Sequence, residues 1–506
     1  MKPDMNRRTF VGATVASGLF TIVPRHVLGG SGHVAPSEKI TLAHIGMGAQ
    51  GFTELGGLLK RPEIQIVAVC DPNADSSNYI EWGKHSIRNR IRTYLGRPTW
   101  RENDDGCPGG REVGREVVDT YYAQQRAAEN FKACRTYADF RELLEKEKDL
   151  DAVKIMTPDH LHATIAIAAM KKGKHVLVHK PLANRMYEAR LVVETARKTK
   201  LATHLLAYGA GTGNAAIAAR VREGAIGRLR EIHNWTNRPV WPQYTEIPTD
   251  APPVPKGFDW DLWLGPALER PYHPHYTHTV FRGWYDFGGG SMADMGIYSL
   301  WPVFAALDLG VPLSAEASAT HTCAILDGVS RPAKNDFSYP TACTIRFKLP
   351  ARPHLPALDL FWYDGGMKPR LPEEIEALNI EMPREGILFV GEHGVIMAGF
   401  QGQDPRLFAN GKAGPLFQQG PASHDAGQVN REAGEHYLPW IQAVRGGAPS
   451  PGCFTSAAAI SDAVNLGTVA LRAGKKVLFD SANMKITNVP GANRYLYREY
   501  RKGWEL

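Results

Sequence analysis

An apolar run that ends in closely spaced glycines decides the fold of the first part of the chain: KITLAHIGMGAQGF, residues 39–52. The run reads as a strand that enters the turn Gly46-x-Gly48-x-x-Gly51. A helical stretch follows, and then a second apolar run, EIQIVAVCDPN at residues 63–73. A strand, a glycine turn, a helix and a second strand make the βαβ unit of a parallel sheet. The order of these segments predicts an α/β protein.

The glycines and one acidic residue of this unit have the spacing of a dinucleotide-binding fingerprint. Gly46 allows the tight turn, Gly48 lets a pyrophosphate approach the backbone, and the start of the helix supplies amide donors. Asp71 follows Gly51 by 20 positions, where a carboxylate accepts from ribose hydroxyls and repels a 2′-phosphate. The pattern predicts NAD, with NADP less favoured. The alternative is a glycine turn that only packs an ordinary βαβ unit.

The parallel pattern is interrupted and then resumes. Residues 72–131 are charged and aromatic and fit no βαβ spacing, which predicts an insertion. Two buried strands follow, Ala152–Met156 and His175–His179, with a helix between them that stops at Gly173. Lys180 then lies at the carboxyl end of a strand, the edge where doubly wound sheets bind ligands. We expect a doubly wound parallel sheet over residues 36–182.

The N-terminus has the features of an export signal. Arg7 and Arg8 stand directly before the apolar stretch Phe10–Val23, which is too short to span a bilayer. This predicts a twin-arginine signal and linker over residues 1–35, recognition by the twin-arginine export machinery, and a periplasmic or otherwise extracytoplasmic location. The alternative is a basic N-terminus before a membrane anchor. Because twin-arginine substrates typically cross the membrane folded, the signal indicates a cofactor that is loaded before export and tightly held.

Length and composition exclude several classes of protein. A chain of 506 residues fits two or three domains. The net charge of +7 comes without a basic run, so no nucleic-acid partner is expected. The six cysteines have no CxxC or Cys/His spacing, so neither a zinc site nor a disulfide scaffold is expected. Cys107 and Cys134 could pair if the protein is exported.

Residues 183–506 make the predicted second domain, and its first part is rich in tryptophan and proline. Six of the 11 tryptophans lie from Trp235 to Trp301, and nine of the 35 prolines lie from Pro239 to Pro274. This composition predicts a long stiff loop region rather than strands. Because aromatic faces stack on sugars, a carbohydrate pocket is one interpretation, and filling of the core is the other. The glycine loop GAGTGN at residues 209–214 opens no βαβ unit and reads as a turn.

A triple glycine opens a helix in GGGSMADMGIYSLW, residues 288–301. Ser291 and Asp294 have the spacing of a capping box, so Asp294 could cap the helix while Tyr298 fills the core. Asp294 and Tyr298 also lie four residues apart on one helix face, so both could contact one ligand. The segment alone leaves both interpretations open.

Three features together resemble the Gfo/Idh/MocA family of oxidoreductases. They are GMGAQG, the block TPDHLHATIAIAAMKKGKHVLVHKP, and GGGSMADMG. The resemblance implies a Rossmann domain followed by an α/β domain with an open, mainly antiparallel sheet, and a homo-oligomer formed through that sheet. The family motif Glu-Lys-Pro reads His179-Lys180-Pro181 here, so the lysine is kept and the glutamate is not. The family usually has histidine at the position of Tyr298. The tyrosine form is similar to the family's glucose-fructose oxidoreductase and dihydrodiol dehydrogenase branches.

The resemblance also assigns roles to residues. Lys180, Asp294 and Tyr298 are the expected catalytic residues. The expected cofactor-binding residues are those of the glycine motif, Asp71 and the second block: Gly46, Gly48, Gly51, Asp71, Thr157, Pro158, His162, His179 and Lys180. Arg282, His275 and Trp284 are weaker candidates for substrate contact, and the loop His275–His278 as a whole is considered with them.

The residue types suit alcohol oxidation. Hydride leaves the carbon for the nicotinamide while a base takes the hydroxyl proton. Tyrosine is a poor base at neutral pH, and a nearby ammonium such as Lys180 lowers its pKa by favouring the phenolate. We therefore expect Tyr298 to be the acid/base, Lys180 its electrostatic partner and a hydroxyl ligand, and Asp294 a second hydroxyl ligand.

Three functions remain open at this stage. The first is an exported NAD-dependent oxidoreductase that acts on a secondary hydroxyl of a sugar or polyol. The second is a redox-neutral enzyme that oxidises a glycoside, eliminates the aglycone and reduces the product again, because no pool of free NAD is expected outside the cytoplasm. The third is a catalytically silent sugar-binding protein.

Overall fold

A computed structural model of the chain describes residues 34–127, 131–206, 213–333, 335–417 and 433–506. The predicted twin-arginine signal and most of the loop GAGTGN lie outside the described residues. No helix within these ranges is long and apolar enough to cross a membrane.

Six parallel strands form the first sheet in the order β5-β2-β1-β6-β7-β8. Its strands are β1 Ile40–Ile45, β2 Ile64–Cys70, β5 Arg135–Tyr137, β6 Ala152–Ile155, β7 His175–Val178 and β8 Thr203–Leu205. The chain builds outward from β1 through β2 to β5, and then returns to β6 on the other side of β1. The order therefore reverses between β1 and β6, which is the switch point where doubly wound sheets bind dinucleotides. The prediction of a doubly wound parallel sheet is confirmed.

Helices cover both faces of this sheet, as the apolar runs of its strands require. They are α1 Ala49–Leu59, α2 Ser86–Leu95, α3 Arg111–Gln125, α4 Phe140–Lys146, α5 His162–Lys171 and α6 Met186–Thr199. Leu55 of α1 and Val117 of α3 pack in the core on one face. Ile165 of α5 and Val192 of α6 pack in the core on the other face, which continues into the second sheet.

The structure divides the predicted insertion of residues 72–131 into two parts. Helix α3 packs on β2 and β5 and is the crossover between these parallel strands. Its buried stripe includes Val113, Val117 and Tyr122, spaced among charged residues that obscured it in the sequence. The addition to the sheet is therefore shorter than predicted: β3 Ser76–Tyr79, α2, and β4 Cys107–Gly109, with β3 and β4 paired antiparallel.

Ten strands form the second sheet, in the order β18-β17-β16-β15-β9-β14-β13-β10-β19-β20. Its strands are β9 Leu229–Trp235, β10 Ser314–Ala319, β13 Cys343–Leu349, β14 Leu358–Tyr363, β15 Gly386–Gly391, β16 Val395–Gly399, β17 Arg406–Ala409, β18 Lys412–Pro415, β19 Val477–Asp480 and β20 Lys485–Ile486. All neighbours are antiparallel except β9 and β14, which run parallel. The expected open, mainly antiparallel sheet is confirmed. A separate antiparallel pair is formed by β11 Cys323–Leu326 and β12 Val329–Pro332.

A helical layer joins the two sheets. The helices of the second part are α7 Gly213–Arg222, α8 Trp260–Leu264, α9 Ile297–Leu307, α10 Glu373–Glu376, α11 Leu438–Val444 and α12 Ala458–Ala473. Helix α12 packs on β10 and β13 of the second sheet and on α6 of the first domain. Helix α9 packs on α7 and α12, and this fixes the segment from Ser291 to Tyr298 at the junction of the two sheets.

The proline-rich region, which the structure describes in full, contains no β-strand and folds as an aromatic cluster. Phe258, Trp263, Tyr276 and Trp284 lie in this cluster and are buried. The cluster packs beside the first domain, where the ring of Trp263 lies 5.2 Å from that of His160. For these side chains, filling of the core is the interpretation that the structure supports. Cys107 and Cys134 are both free and buried.

Candidate active site

A cleft open to solvent lies at the carboxyl ends of β1 and β6, where the strand order reverses. It is lined by the glycine turn, the ends of the first sheet, the addition after β2 and the aromatic loop: Gly46, Gly48, Ala49, Gln50, Gly51, Asp71, Pro72, Tyr79, Ile80, Trp82, Met156, Thr157, Pro158, Asp159, Leu161, His179, Lys180, Trp263, His278, Thr279, Phe281 and Arg282.

The glycine turn has the geometry that a bound pyrophosphate requires. Gly46 has φ +98°, and a Cβ there would lie 2.6 Å from the carbonyl of Met156. A Cβ on Gly51 would collide with the carbonyl oxygen of Gly46. Helix α1 begins after Gly48, so its free amides point into the cleft. The buried hydroxyl of Thr157 has no hydrogen-bond partner within the part of the chain that the structure describes, and it remains available to a ligand.

Asp71 lies in the cleft wall with donors on both carboxylate oxygens. Oδ2 accepts from the N–H of Met47 at 2.7 Å, and Oδ1 accepts from the N–H of Asn73 at 2.8 Å and from the Tyr79 hydroxyl at 3.2 Å. Burial raises the pKa of Asp71 from its ordinary value against these hydrogen bonds. Each oxygen has two lone pairs, and Oδ2 accepts only one of these bonds, so it can accept a further bond from a ribose hydroxyl.

The addition after β2 contributes three cleft residues that sequence reasoning missed. The Tyr79 ring lies over Gly48, and Ile80 and Trp82 line the cleft although they are 41% and 50% exposed. The ring of His278 packs against Tyr79 at 4.1 Å between centroids. The one available signal was the cluster of aromatic residues directly after the Asp71 strand.

Lys180 lies at the end of β7 in the cleft wall and forms a buried ion pair with Asp294. The Nε of Arg282 lies 3.3 Å from the same carboxylate oxygen. Burial raises the pKa of Asp294, but the charges of Lys180 and Arg282 outweigh it and hold the pKa at about 2. Burial lowers the pKa of Lys180, and the Asp294 carboxylate opposes that change.

The capping-box interpretation of Ser291 and Asp294 is wrong. Ser291 lies in helical conformation and its side chain makes no capping hydrogen bond. Residues Met292–Gly296 form a turn of π-helix before α9 begins, and π-turns are frequent at functional sites. The wider turn lets the Asp294 carboxylate reach Lys180 and Arg282 instead of the helix backbone.

Tyr298 contacts both residues of the His179-Lys180 pair. The Nζ of Lys180 lies 5.1 Å from the centroid of its ring. Its hydroxyl lies 3.3 Å from the Nε2 of His179. The ammonium thus lies over the ring face, while the imidazole lies at the phenol oxygen.

In the block after β6, one residue predicted to bind the cofactor lies outside the cleft lining, and one residue that lines the cleft was not predicted. His162 does not line the cleft: its Nδ1 lies 2.6 Å from the carbonyl oxygen of Pro181 and its Nε2 lies 2.9 Å from that of Thr157. It therefore joins two loops, and its role in cofactor binding stays a prediction. Asp159 was missed, although it lines the cleft and accepts from the N–H of Gly289 at 3.0 Å, which ties the triple glycine to the first domain. A carboxylate four residues after a buried strand was the signal.

Two of the three substrate candidates lie away from the cleft. Trp284 is 1% exposed in the aromatic cluster and its Nε1 donates to the carbonyl of His275 at 2.7 Å. The His275 ring stacks on Tyr244 at 4.8 Å and does not line the cleft. In the same loop it is His278 that lines the cleft, together with Arg282.

The sequence matches two family models, one for each sheet. Residues 98–206 match the NAD-binding Rossmann fold of the oxidoreductase family GFO_IDH_MocA, and residues 228–349 match that family's C-terminal alpha/beta domain. Among solved structures, the WlbA dehydrogenase from Chromobacterium violaceum in complex with NADH and UDP-GlcNAcA has a TM-score of 0.51 at 16% identity, covering 88% of this chain and 97% of that one. That likeness shows the fold alone.

Curated relatives match over shorter spans. Levoglucosan dehydrogenase from Pseudarthrobacter phenanthrenivorans is 35% identical over 123 residues, which are 23% of this chain and 31% of that protein. The alpha-N-acetylgalactosaminidase of Shewanella oneidensis is 25% identical over 244 residues, 45% of this chain and 44% of that protein. In these matches the chain spans less than half the length of its relatives. Each of the two sheets is thus matched by its own model of the Gfo/Idh/MocA oxidoreductase family, the first of them a model of an NAD-binding Rossmann fold.

Proposed function

We propose that this protein is an NAD-dependent oxidoreductase that transfers hydride between a bound nicotinamide and a secondary hydroxyl of a sugar or polyol. One observation carries the proposal: a single cleft at the switch point has the glycine turn and Asp71 in one part of its wall and Lys180 and Arg282 in another. A dinucleotide held by the first part can extend toward the second.

The residues of the cleft fit a dinucleotide. Gly46, Gly48 and the start of α1 would hold the pyrophosphate, and Asp71 the adenosine ribose. The Asp71 carboxylate disfavours a 2′-phosphate, which supports NAD over NADP. The nicotinamide would supply the hydride acceptor, and His179, Lys180 and the free hydroxyl of Thr157 are the candidates to contact it.

The protein's own part in the reaction is to bind the hydroxyl and move its proton. Lys180, with three N–H donors, can orient the substrate oxygen, and its pairing with Asp294 fixes the position of the ammonium. Tyr298 does not itself line the cleft, but it contacts His179 and Lys180, which do, and it is the proposed proton carrier. Asp294 is buried behind Lys180 and Arg282, so its role as a direct hydroxyl ligand is the least supported of the three.

The sugar or polyol class rests on the relatives and on one exposed side chain. One curated relative carries the name levoglucosan dehydrogenase. In the cleft itself, half-exposed Trp82 offers an aromatic face of the kind that stacks on sugar rings. A silent sugar-binding protein would keep Trp82 but would not need the ammonium of Lys180 in the cleft wall.

A second function deserves the same test, because relatives with glycosidase names cover 45% of the chain. In this alternative the same site oxidises a glycoside, eliminates the aglycone and reduces the product. Export through the twin-arginine signal would favour it, since a retained NAD must then be recycled on the protein. We also propose the periplasmic location and a homo-oligomer built through the ten-stranded sheet.

The proposal is tested by mass spectrometry of nucleotide released from denatured protein, followed by a panel of sugars, polyols and chromogenic glycosides. We expect NAD in the purified protein and nicotinamide reduction by at least one sugar or polyol. Aglycone release without net reduction would favour the second function. Protein that neither carries nor binds NAD would contradict both.

Two matched variants sharpen the cofactor assignment. Thr157 lines the cleft and Thr164 of α5 does not, and both have buried hydroxyls without a hydrogen-bond partner among the described residues. Thr157→Val and Thr164→Val each remove one of these hydroxyls. We expect weaker NAD binding in the first variant only. Asp71→Asn should reduce the preference for NAD over NADP, and an unchanged preference would contradict the ribose assignment.

A further inference from the structure

The side chain of His179 meets the phenol oxygen of Tyr298. It directly follows β7, is 6% exposed, and lines the cleft beside Lys180. Its Nε2 lies 3.3 Å from the Tyr298 hydroxyl oxygen, which is within hydrogen-bond reach. The imidazole therefore touches both the cleft and the proposed proton carrier.

The surroundings of His179 keep its ring neutral. Burial, and next the charge of Lys180, hold the pKa of His179 well below its ordinary range. The other charged groups that act on it are Glu54 of α1, which raises the pKa, and Lys154 of β6 and Arg282, which lower it. A neutral imidazole with its proton on Nδ1 presents Nε2 as an acceptor. The Tyr298 hydroxyl can then donate to it.

We propose that His179 is the terminal proton acceptor of this site, reached through Tyr298; the inference rests on the proposed function. The alcohol C–H bond breaks and its hydride passes to the nicotinamide. The alcohol proton passes to the Tyr298 oxygen as the Tyr298 proton passes to Nε2 of His179. A neutral alcohol, oxidised nicotinamide and neutral imidazole become a ketone, reduced nicotinamide and imidazolium, so the total charge of the site is unchanged.

The geometry favours His179 over Lys180 for this role. A charged ammonium is a donor without a lone pair, so Lys180 cannot accept a proton while it is paired with Asp294. It also lies over the Tyr298 ring face, 5.1 Å from the centroid, whereas the imidazole lies at the oxygen. Lys180 can orient the substrate hydroxyl while His179 takes the proton.

The kinetic test compares His179→Gln with His204→Gln. His204 lies in the neighbouring strand β8 and is also buried. Its Nδ1 lies 2.6 Å from the hydroxyl oxygen of Ser450, and it does not line the cleft. We expect His179→Gln, measured at saturating NAD, to lower the rate of nicotinamide reduction by about 10² to 10⁴, with His204→Gln near wild type. Added imidazoles should restore His179→Ala in proportion to their basicity. Loss without rescue, or no loss in His179→Gln, would overturn the proposal.

A second readout needs no turnover. In NAD-loaded protein labelled with ¹⁵N-histidine, the His179 resonance is identified by its absence from His179→Gln. Tyr298→Phe should move its Nε2 shift toward that of an acceptor without a hydrogen bond, and an unchanged shift would overturn the inference. If wild-type protein binds no NAD, the proposed function fails and this inference fails with it. If wild type turns over but His179→Gln is equally fast, the inference fails alone.

Discussion

Two buried lysines, one in β6 and one just after β7, each pair with a carboxylate and lie over a tyrosine ring, yet of these two only Lys180 borders the cleft. Lys154 of β6 pairs with Glu54 at 3.6 Å, and its Nζ lies 4.9 Å from the Tyr437 ring. Lys180 pairs with Asp294, and its Nζ lies 5.1 Å from the Tyr298 ring. The residues around the two ammonium groups are thus similar in kind.

Access separates the two groups. Lys154 is 0% exposed, and the Tyr437 hydroxyl closes the pair by lying 3.2 Å from Nζ and 2.7 Å from Glu54. Burial lowers the pKa of Lys154 to about 8 against the Glu54 charge. Lys180 faces the cleft instead. A buried lysine, carboxylate and tyrosine therefore do not indicate a reaction by themselves, and we interpret the Lys154 group as structural.

The largest expected difference is in the rate of hydride transfer. Lys180→Met removes the donor that orients the substrate hydroxyl, and we expect nicotinamide reduction to slow by about 10² to 10⁴. Lys154→Met, the matched control, should keep the rate per folded molecule because Lys154 does not line the cleft. Rapid-mixing measurement of nicotinamide reduction checks both. Equal losses in the two variants would contradict the distinction.

The next effect is on stability and falls on the closed group. Glu54→Gln leaves the fully buried Lys154 without its counter-charge, and removal of one partner from a buried pair costs about 3–5 kcal/mol. We expect the free energy of unfolding in urea to fall by that amount near pH 7, with NAD content unchanged. A fall below about 1 kcal/mol would show that the Lys154 group does not hold α1 to the sheet.

The smallest expected effect is a change in the pH dependence of stability. The pKa of Asp294 is about 2 when folded and 3.8 as the ordinary value. A carboxylate whose pKa is lower in the folded protein than in the unfolded chain stabilises the fold at pH values above the unfolded pKa. This contribution disappears as the pH falls through the folded pKa of about 2. The difference corresponds to about 2 kcal/mol. Asp294→Asn should lose this amount above pH 4, with its curve meeting that of wild type near pH 2. Parallel curves would contradict the assignment.

The first sheet could be predicted from sequence because its signals are local. The glycine motif, Asp71 and the apolar runs of β6 and β7 each lie within one βαβ unit. The ten-stranded sheet came only from the family resemblance, since its parallel pair β9 and β14 joins residues more than a hundred positions apart. Periodicity within a segment carries no information about such a pairing.

The site was predicted less completely for the same reason. Lys180 and Asp294 were expected together, but their pairing depends on a π-turn that the Ser291 spacing did not indicate. His162 was predicted to bind the cofactor, but both of its ring nitrogens lie against backbone carbonyl oxygens. Tyr79 and Trp82 enter the cleft through contacts of the added segment, which no local pattern reveals.

The most direct test of the account measures single-turnover reduction of bound NAD in Tyr298→Phe and Tyr437→Phe side by side. Each change removes one hydroxyl from a tyrosine under a buried lysine. We predict that Tyr298→Phe slows reduction by about 10² to 10⁴ with little change in stability. Tyr437→Phe should keep the rate and lose about 1–3 kcal/mol, because it leaves buried polar groups unsatisfied. Full reduction at the wild-type rate by Tyr298→Phe, on a confirmed substrate, would contradict the central claim.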